Sequence, residues 1–138
     1  MYANEKILLN RFYDMLKKLT KEDLIDLANS QNIKSTCSNC SSLNCIGWDS
    51  VPSSFELNTL KPIGTLKTED GEDIWEEFHP NGTTLWSENA PISIKHNPYN
   101  RSDVCECKEC GRKYLRYTEY GGYYVDERIR TLNPNLII

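Results

Sequence analysis

Two pairs of cysteines with the same spacing constrain this chain more than any other feature of its sequence. Cys37 and Cys40 form one Cys-x-x-Cys pair, and Cys107 and Cys110 form a second pair about 70 residues later. In such a pair a tight backbone turn presents both sulfurs to one ion, and zinc prefers four ligands in a tetrahedron. The four cysteines therefore predict a structural zinc site that joins an early loop to a segment near the C-terminus.

Two further cysteines leave the exact set of ligands open. Cys45 can replace either member of the first pair, and Cys105 can likewise displace a ligand. Gly111, directly after Cys110, favours the second pair, because a residue without Cβ turns sharply and leaves backbone amides facing the thiolates. Unligated cysteines, redox chemistry and another metal are the alternatives to zinc.

The expected compartment is the cytoplasm. No stretch approaches the roughly 18 apolar residues needed to span a bilayer, and the first five residues lack the basic region of a secretory signal. In a reducing cytosol, cysteines with two-residue spacing are more naturally metal ligands than disulfides. A chain of 138 residues is expected to form one core domain with a small appendage.

The N-terminal part of the sequence predicts two helices. Apolar residues recur at helical spacing over residues 4–18, with polar residues between them. Thr20 can cap a second helix, whose first turn carries stabilising acids. That second helix is expected to bury Leu24, Ile25 and Leu27. We therefore predict an N-terminal helical hairpin over residues 1–34.

Strand and turn patterns dominate after residue 64. Residues 74–79 and 83–87 flank the turn Pro80–Gly82, which is typical of a β-hairpin. A second hairpin is predicted from residues 113–118 and 123–129, which flank a turn with two glycines that permit positive backbone φ angles.

These patterns together predict an α+β fold. The helical hairpin is followed by a mostly antiparallel β-sheet that a four-cysteine zinc site staples together. The β-rich, zinc-stapled domain is expected to cover residues 35–138.

The charges are distributed unevenly along the chain. The net charge is −4, but residues 49–90 contain nine acidic residues and two lysines. An acidic surface attracts basic partners and repels phosphate. The partner-binding residues predicted from this segment are Glu69, Asp70, Glu72, Asp73, Glu76 and Glu77.

The sequence contains no convincing active site, so we predict a binding protein and not an enzyme. His79 with Glu77 is the best acid/base pair, and a small hydrolase that uses them is the third alternative. The second alternative is a zinc-ribbon regulator that binds nucleic acid through a basic and aromatic segment. Its candidate contacts are Lys113, Arg116, Arg128 and Arg130.

Several stretches are together similar to those of a known group of proteins. They are Gly47–Pro52, Glu77–Thr83, Ala90–Ile92, Pro98–Arg101 and, as the most specific, Cys107–Tyr124. They resemble small bacterial zinc-ribbon-like proteins of poorly defined function, and the general pattern resembles immunity proteins that protect bacteria from contact-delivered toxins. The resemblance covers residues 37–138 and implies a protein that neutralises a cognate toxin domain, and the acidic segment suits a basic one. It identifies no toxin-binding residue.

Overall fold

The computed structural model describes residues 16–31, 37–43, 45–67 and 75–138. In this part of the chain, one α-helix precedes five β-strands. The helix is α1 (Lys21–Ser30), and the strands are β1 (Asp49–Ser50), β2 (Leu60–Thr65), β3 (Asp103–Cys107), β4 (Lys113–Tyr120) and β5 (Val125–Thr131).

All five strands belong to one antiparallel sheet. Their order across the sheet is β1-β5-β4-β3-β2, so the last four strands form a meander and β1 is added at the outer edge of β5. From β2 to β5 each strand pairs with the next strand in the chain, whereas β1 and β2 lie at opposite edges of the sheet. The predicted α+β class and antiparallel sheet are confirmed.

The C-terminal hairpin forms where the sequence predicts it, with a shifted turn. Strands β4 and β5 pair as far as Tyr120 with Val125, so the loop contains residues 121–124. Among the described residues, the glycines with a positive φ are Gly82 and Gly111. The two glycines of this loop, Gly121 and Gly122, do not have a positive φ. Gly121 has a different role, because a Cβ there would lie 2.4 Å from the Tyr124 ring.

The predicted hairpin over residues 74–87 is wrong. Ile74 lies outside the described residues, and residues 75–79 and 83–87 are not in strands. Pro80–Gly82 forms one turn of 3-10 helix, in which Asn81 has a φ of 57°. The side chains of residues 75–79 are exposed, and a two-stranded hairpin without a covered face is marginal in water. The segment instead packs as a loop, with the Asn97 amide donating to the Glu76 carbonyl at 2.9 Å.

The N-terminus of α1 is capped as predicted. The Asp23 amide donates to the Thr20 hydroxyl at 3.1 Å, and the Thr20 amide donates to the Asp23 carboxylate at 3.0 Å. This reciprocal pair lowers the pKa of Asp23, because the Thr20 amide and hydroxyl stabilise its charged form. Leu24 is fully buried, while Ile25 and Leu27 pack at the border of the same cluster.

The predicted partner helix falls mainly on residues 1–15, which lie outside the described residues. The described end of that segment pairs with the sheet: the Thr65 amide donates to the Lys17 carbonyl, and the Leu19 amide donates to the Thr65 carbonyl, both at 2.9 Å. The described residues therefore contain one α-helix and no helical hairpin. Within them, no helix has the length and apolar character needed to cross a bilayer.

The sheet lies between two hydrophobic clusters, because alternate residues of a strand point to opposite faces. The first cluster includes Leu24 of α1, Trp48, Val104 and Leu115. The second cluster lies on the other face and combines five cysteines with aliphatic and aromatic residues. Its buried members are Cys37, Cys40, Leu43, Cys45, Leu60, Cys105, Cys107, Tyr114 and Ile129.

Gly47 lies close to the backbone of Trp86 and Ser87, and a substitution at Gly47 tests this contact. A Cβ at Gly47 would lie 2.7 Å from the Trp86 carbonyl oxygen, whereas one at Gly122 would have no atom within 4 Å. We expect Gly47→Ala to lower the free energy of unfolding by about 1–3 kcal/mol, because the backbone must shift to relieve overpacking. Gly122→Ala is the matched control and should change it little. Urea denaturation measures the free energy of unfolding of both variants. Equal denaturation midpoints would contradict the close backbone contact at Gly47.

Candidate metal centre

Two backbone turns bring the predicted ligands together. Cys37 and Cys40 lie in a series of turns after α1, in which the Leu43 amide donates to the Cys40 carbonyl at 2.9 Å. The second turn connects β3 to β4, and the Gly111 amide donates to the Cys107 carbonyl at 2.9 Å. Gly111 has a φ of 78°, which explains why a glycine suits this position.

The four sulfur atoms are spaced as a tetrahedral metal site requires. The Sγ atoms of Cys37, Cys40, Cys107 and Cys110 all lie within 4.8 Å of one another. The Cys37–Cys107 distance is 3.8 Å and the Cys40–Cys110 distance is 3.5 Å. Metal–sulfur bonds of about 2.3 Å in a tetrahedron place the sulfurs about 3.8 Å apart. A disulfide needs about 2.05 Å, and all six cysteines are free.

Hydrogen bonds prepare one thiolate for binding a cation. Burial alone raises the pKa of Cys107, but the backbone amides of Cys110 and Glu109 and the side-chain amide of Asn39 lower it to about 6. The Asn39 Nδ2 atom lies 3.4 Å from the Cys107 Sγ atom. The sequence prediction did not include Asn39, although its place inside the first Cys-x-x-Cys turn is a usable signal. Such bonds to ligand sulfurs orient and tune metal sites.

In the absence of a cation, the thiols of Cys40 and Cys110 ionise less readily than a free cysteine. Burial raises the pKa of Cys40 to about 12 and also raises the pKa of Cys110. Four thiolates close together repel one another, and a bound divalent cation offsets this repulsion and deprotonates the thiols. The arrangement is thus one that a metal ion can complete.

The two alternate ligands lie outside the sulfur cluster. The Cys45 thiol faces the Leu43 carbonyl at 3.5 Å, and the Cys105 thiol faces the Tyr114 carbonyl at 3.8 Å. Burial raises their pKa values to about 11 and about 12 respectively, so these thiols stay neutral. Within the described residues, the group that can hold a metal ion is Cys37, Cys40, Cys107 and Cys110.

The predicted acidic partner surface is described only in part. Glu69, Asp70, Glu72 and Asp73 lie outside the described residues. Glu76 and Glu77 are exposed, and the Glu77 Oε1 atom lies 2.8 Å from the His79 Nε2 atom. His79 is exposed as well, so the acid/base pair of the hydrolase alternative forms a contact at the surface.

The predicted nucleic-acid contacts are paired within the protein. Lys113 is buried and lies 3.3 Å from Glu106, and Arg116 lies 3.1 Å from Glu127. Arg128 lies 3.1 Å from Asp126 and 3.8 Å from Glu119. Arg130 is fully buried and donates to the Tyr99 hydroxyl and to the carbonyls of Glu88 and Ala90. These contacts leave little free positive charge for phosphate groups.

Comparison of the chain with protein families, curated proteins and solved structures found no match. The function is therefore inferred from the geometry of the four sulfur atoms and from the chemistry of the surface.

Alanine variants separate the four ligands from the two alternates. We expect the purified wild-type protein to contain one metal ion per chain, and Cys37→Ala or Cys107→Ala to lose it, because three thiolates hold a tetrahedral ion less tightly. Cys45→Ala and Cys105→Ala are buried, matched controls and should keep it. Elemental analysis of untagged, reduced protein measures the stoichiometry. Loss of metal from Cys105→Ala with retention in Cys107→Ala would show that the ligand set is wrong.

Proposed function

We propose that the four-cysteine site binds zinc and that the zinc is structural. Thiolate ligands in a tetrahedron suit zinc, and four protein ligands leave no position for a catalytic water. The site joins the loop at Cys37–Cys40 to the β3–β4 turn, which are about 70 residues apart. Zinc binding to such sites contributes on the order of 10 kcal/mol to folding, measured in small zinc domains.

A chelator tests the structural role. We expect removal of the metal to lower the free energy of unfolding by several kcal/mol, because the ion holds the second cluster together. Amide hydrogen exchange should rise most at Leu43 and Ile129, which belong to that cluster, and less at Leu24 on the opposite face. Reconstitution with Zn²⁺ is the control and should reverse both changes. Unaltered stability and exchange in metal-free protein would contradict the proposal.

The zinc-stapled domain is proposed to serve as a binding protein without enzymatic activity. The observation that carries this proposal is that four buried or half-buried cysteines would fill all four positions around the candidate metal. A metal with no open position has a structural role and does not bind substrate. The acid/base pair of Glu77 and His79 is exposed to water and has no third group that orients it among the contacts described. The internal pairing of Arg116 and Arg128 favours a protein partner over nucleic acid.

The partner is proposed to be a basic toxin domain, so that the protein acts as a bacterial immunity protein. Support comes from the acidic segment over residues 49–90, and the predicted resemblance of residues 37–138 to small bacterial zinc-ribbon-like proteins is part of this proposal. The exposed carboxylates of Glu76 and Glu77 belong to that segment. Complementary charge speeds the encounter of two proteins and fixes their relative orientation.

Co-expression tests the immunity role. The gene of this protein is expected to lie beside a toxin gene, and expression of the protein should restore the growth of cells that produce that toxin.

The double variant Glu76→Lys/Glu77→Lys should slow association with the toxin by about tenfold or more at low salt, because it reverses the charge that steers the two proteins together. Glu56→Lys, another exposed acid in the same segment, is the matched control. Stopped-flow kinetics measures the rates, and a neighbouring toxin that kills despite co-expression would disprove the role.

A further inference from the structure

Five side chains form a continuous row on the first-cluster side of the sheet, in which aromatic rings alternate with guanidinium groups. The Arg101 guanidinium carbon lies 4.6 Å from the ring centre of Trp75 and 5.7 Å from that of Tyr117. The Arg128 guanidinium carbon lies 5.9 Å from the ring centre of Tyr117, near its hydroxyl edge, and 4.7 Å from that of Trp86. We call this row the tryptophan–arginine ladder, and its order is Trp75, Arg101, Tyr117, Arg128 and Trp86.

Polar contacts hold the two arginines of the ladder in place. The Glu119 Oε2 atom lies 3.4 Å from a terminal nitrogen of Arg101 and 3.8 Å from one of Arg128. Arg101 also donates to the Asn97 side chain at 2.8 Å, and Arg128 donates to the Tyr117 hydroxyl at 2.9 Å. Because both guanidinium groups are fixed, the indole rings that stack on them are positioned before any partner binds.

Both ends of the ladder face water. Trp75 is 60% exposed and Trp86 is 50% exposed, whereas the third tryptophan, Trp48, is buried beside Tyr117. Each exposed indole has an arginine on its inner side. Tryptophan is strongly enriched among the residues that dominate binding at protein interfaces, and exposed aromatic surface of this kind often marks such an interface.

The charges around the two indoles indicate which partner they fit. The exposed carboxylates of Glu76 and Glu77 follow Trp75 in the chain, and that of Glu88 follows Trp86. Within the ladder itself the two arginines are matched by Glu119 and Asp126. The surface therefore combines flat aromatic rings with negative charge. A guanidinium group matches both, because it stacks on indole and pairs with carboxylates.

We propose that the outer faces of Trp75 and Trp86 bind arginine side chains of a basic protein partner, which extends the ladder by one guanidinium at each end. The inner faces already hold guanidinium groups in this geometry. The exposed carboxylates of Glu76, Glu77 and Glu88, which lie close to the two tryptophans in the chain, add negative charge to this surface. This proposal rests on the proposed function to the extent that the partner is a basic protein.

Indole NMR signals provide a direct test, with Trp48 as an internal control. The zinc-loaded, ¹⁵N-labelled protein is titrated with the peptide Ac-Arg-Gly-Arg-Gly-Arg-Gly-Arg-NH₂, whose extended length of about 20 Å is comparable to that of the ladder. We expect the indole N–H signals of Trp75 and Trp86 to shift with saturation, while that of Trp48 stays in place. The equivalent lysine peptide should bind more weakly, and the equivalent glutamate peptide should cause no shift.

Variants connect this binding to the ladder. Trp75→Ala and Trp86→Ala should each weaken peptide binding about threefold, as expected for an exposed cation–π contact, and the double variant about tenfold. Tyr123→Ala is the matched control, because Tyr123 is a fully exposed aromatic residue outside the ladder. An unchanged Trp48 signal shows that each variant is folded.

Three outcomes would overturn the proposal: no indole shift at millimolar peptide, equal shifts with the glutamate peptide, or unchanged affinity in the double variant. Shifts of the two exposed indoles by cellotriose or hexathymidine, without shifts by the arginine peptide, would also overturn it in favour of a sugar or a nucleic acid. A failure of the proposed immunity function can be distinguished from a failure of arginine binding by the ladder. A ladder that binds arginine in a protein that does not counteract a neighbouring toxin refutes the immunity role alone.

Discussion

The meeting of four thiols from two distant turns is the interaction on which one face of the sheet depends. The second cluster has few large apolar side chains and contains five buried cysteines, so burial of apolar surface alone gives it limited stability. A metal ion bound there would change this balance, because it would replace weak thiol contacts with four strong bonds. It would also constrain the unfolded chain by closing a loop of about 70 residues.

The opposite face of the sheet is held by a different kind of chemistry. Here α1 and residues 75–102 of the connection between β2 and β3 cover the strands, and Arg130 links the backbone at Glu88 and Ala90 to β5 by donating to their carbonyl groups. These carbonyls and the Tyr99 hydroxyl accept hydrogen bonds from the two terminal nitrogens of the fully buried guanidinium, whereas its Nε atom has no hydrogen-bond partner among the described residues. Next to this polar core, the tryptophan–arginine ladder carries exposed aromatic surface. One face of the sheet thus carries the candidate metal centre, and the other presents the surface proposed for recognition.

The parts of the fold that follow from local sequence were predicted well. The β4–β5 hairpin has alternating side chains and a glycine-rich turn, and the Thr20 cap needs only residues three positions apart. The hairpin predicted over residues 74–87 has similar local signals, yet the described part of it is a loop. Its turn signal around Pro80 and Gly82 is genuine, but strands need a partner or a covered face, and local sequence does not state whether one is available.

The spacing of the cysteines by itself determined that each of two short segments can present two sulfurs to one ion. It left open whether Cys45 or Cys105 takes part, because the identity of a ligand depends on where the strands place each side chain. The tertiary structure decided that question: Cys105 and Cys107 lie on the same face of β3, but Cys105 pairs with Tyr114 inside the sheet, whereas Cys107 lies at the end of β3 beside Cys37. The ladder was equally beyond the sequence, since Trp75, Arg101 and Arg128 are far apart in the chain. Stacking depends on distances in space, and only the folded sheet and its covering loop bring those side chains together.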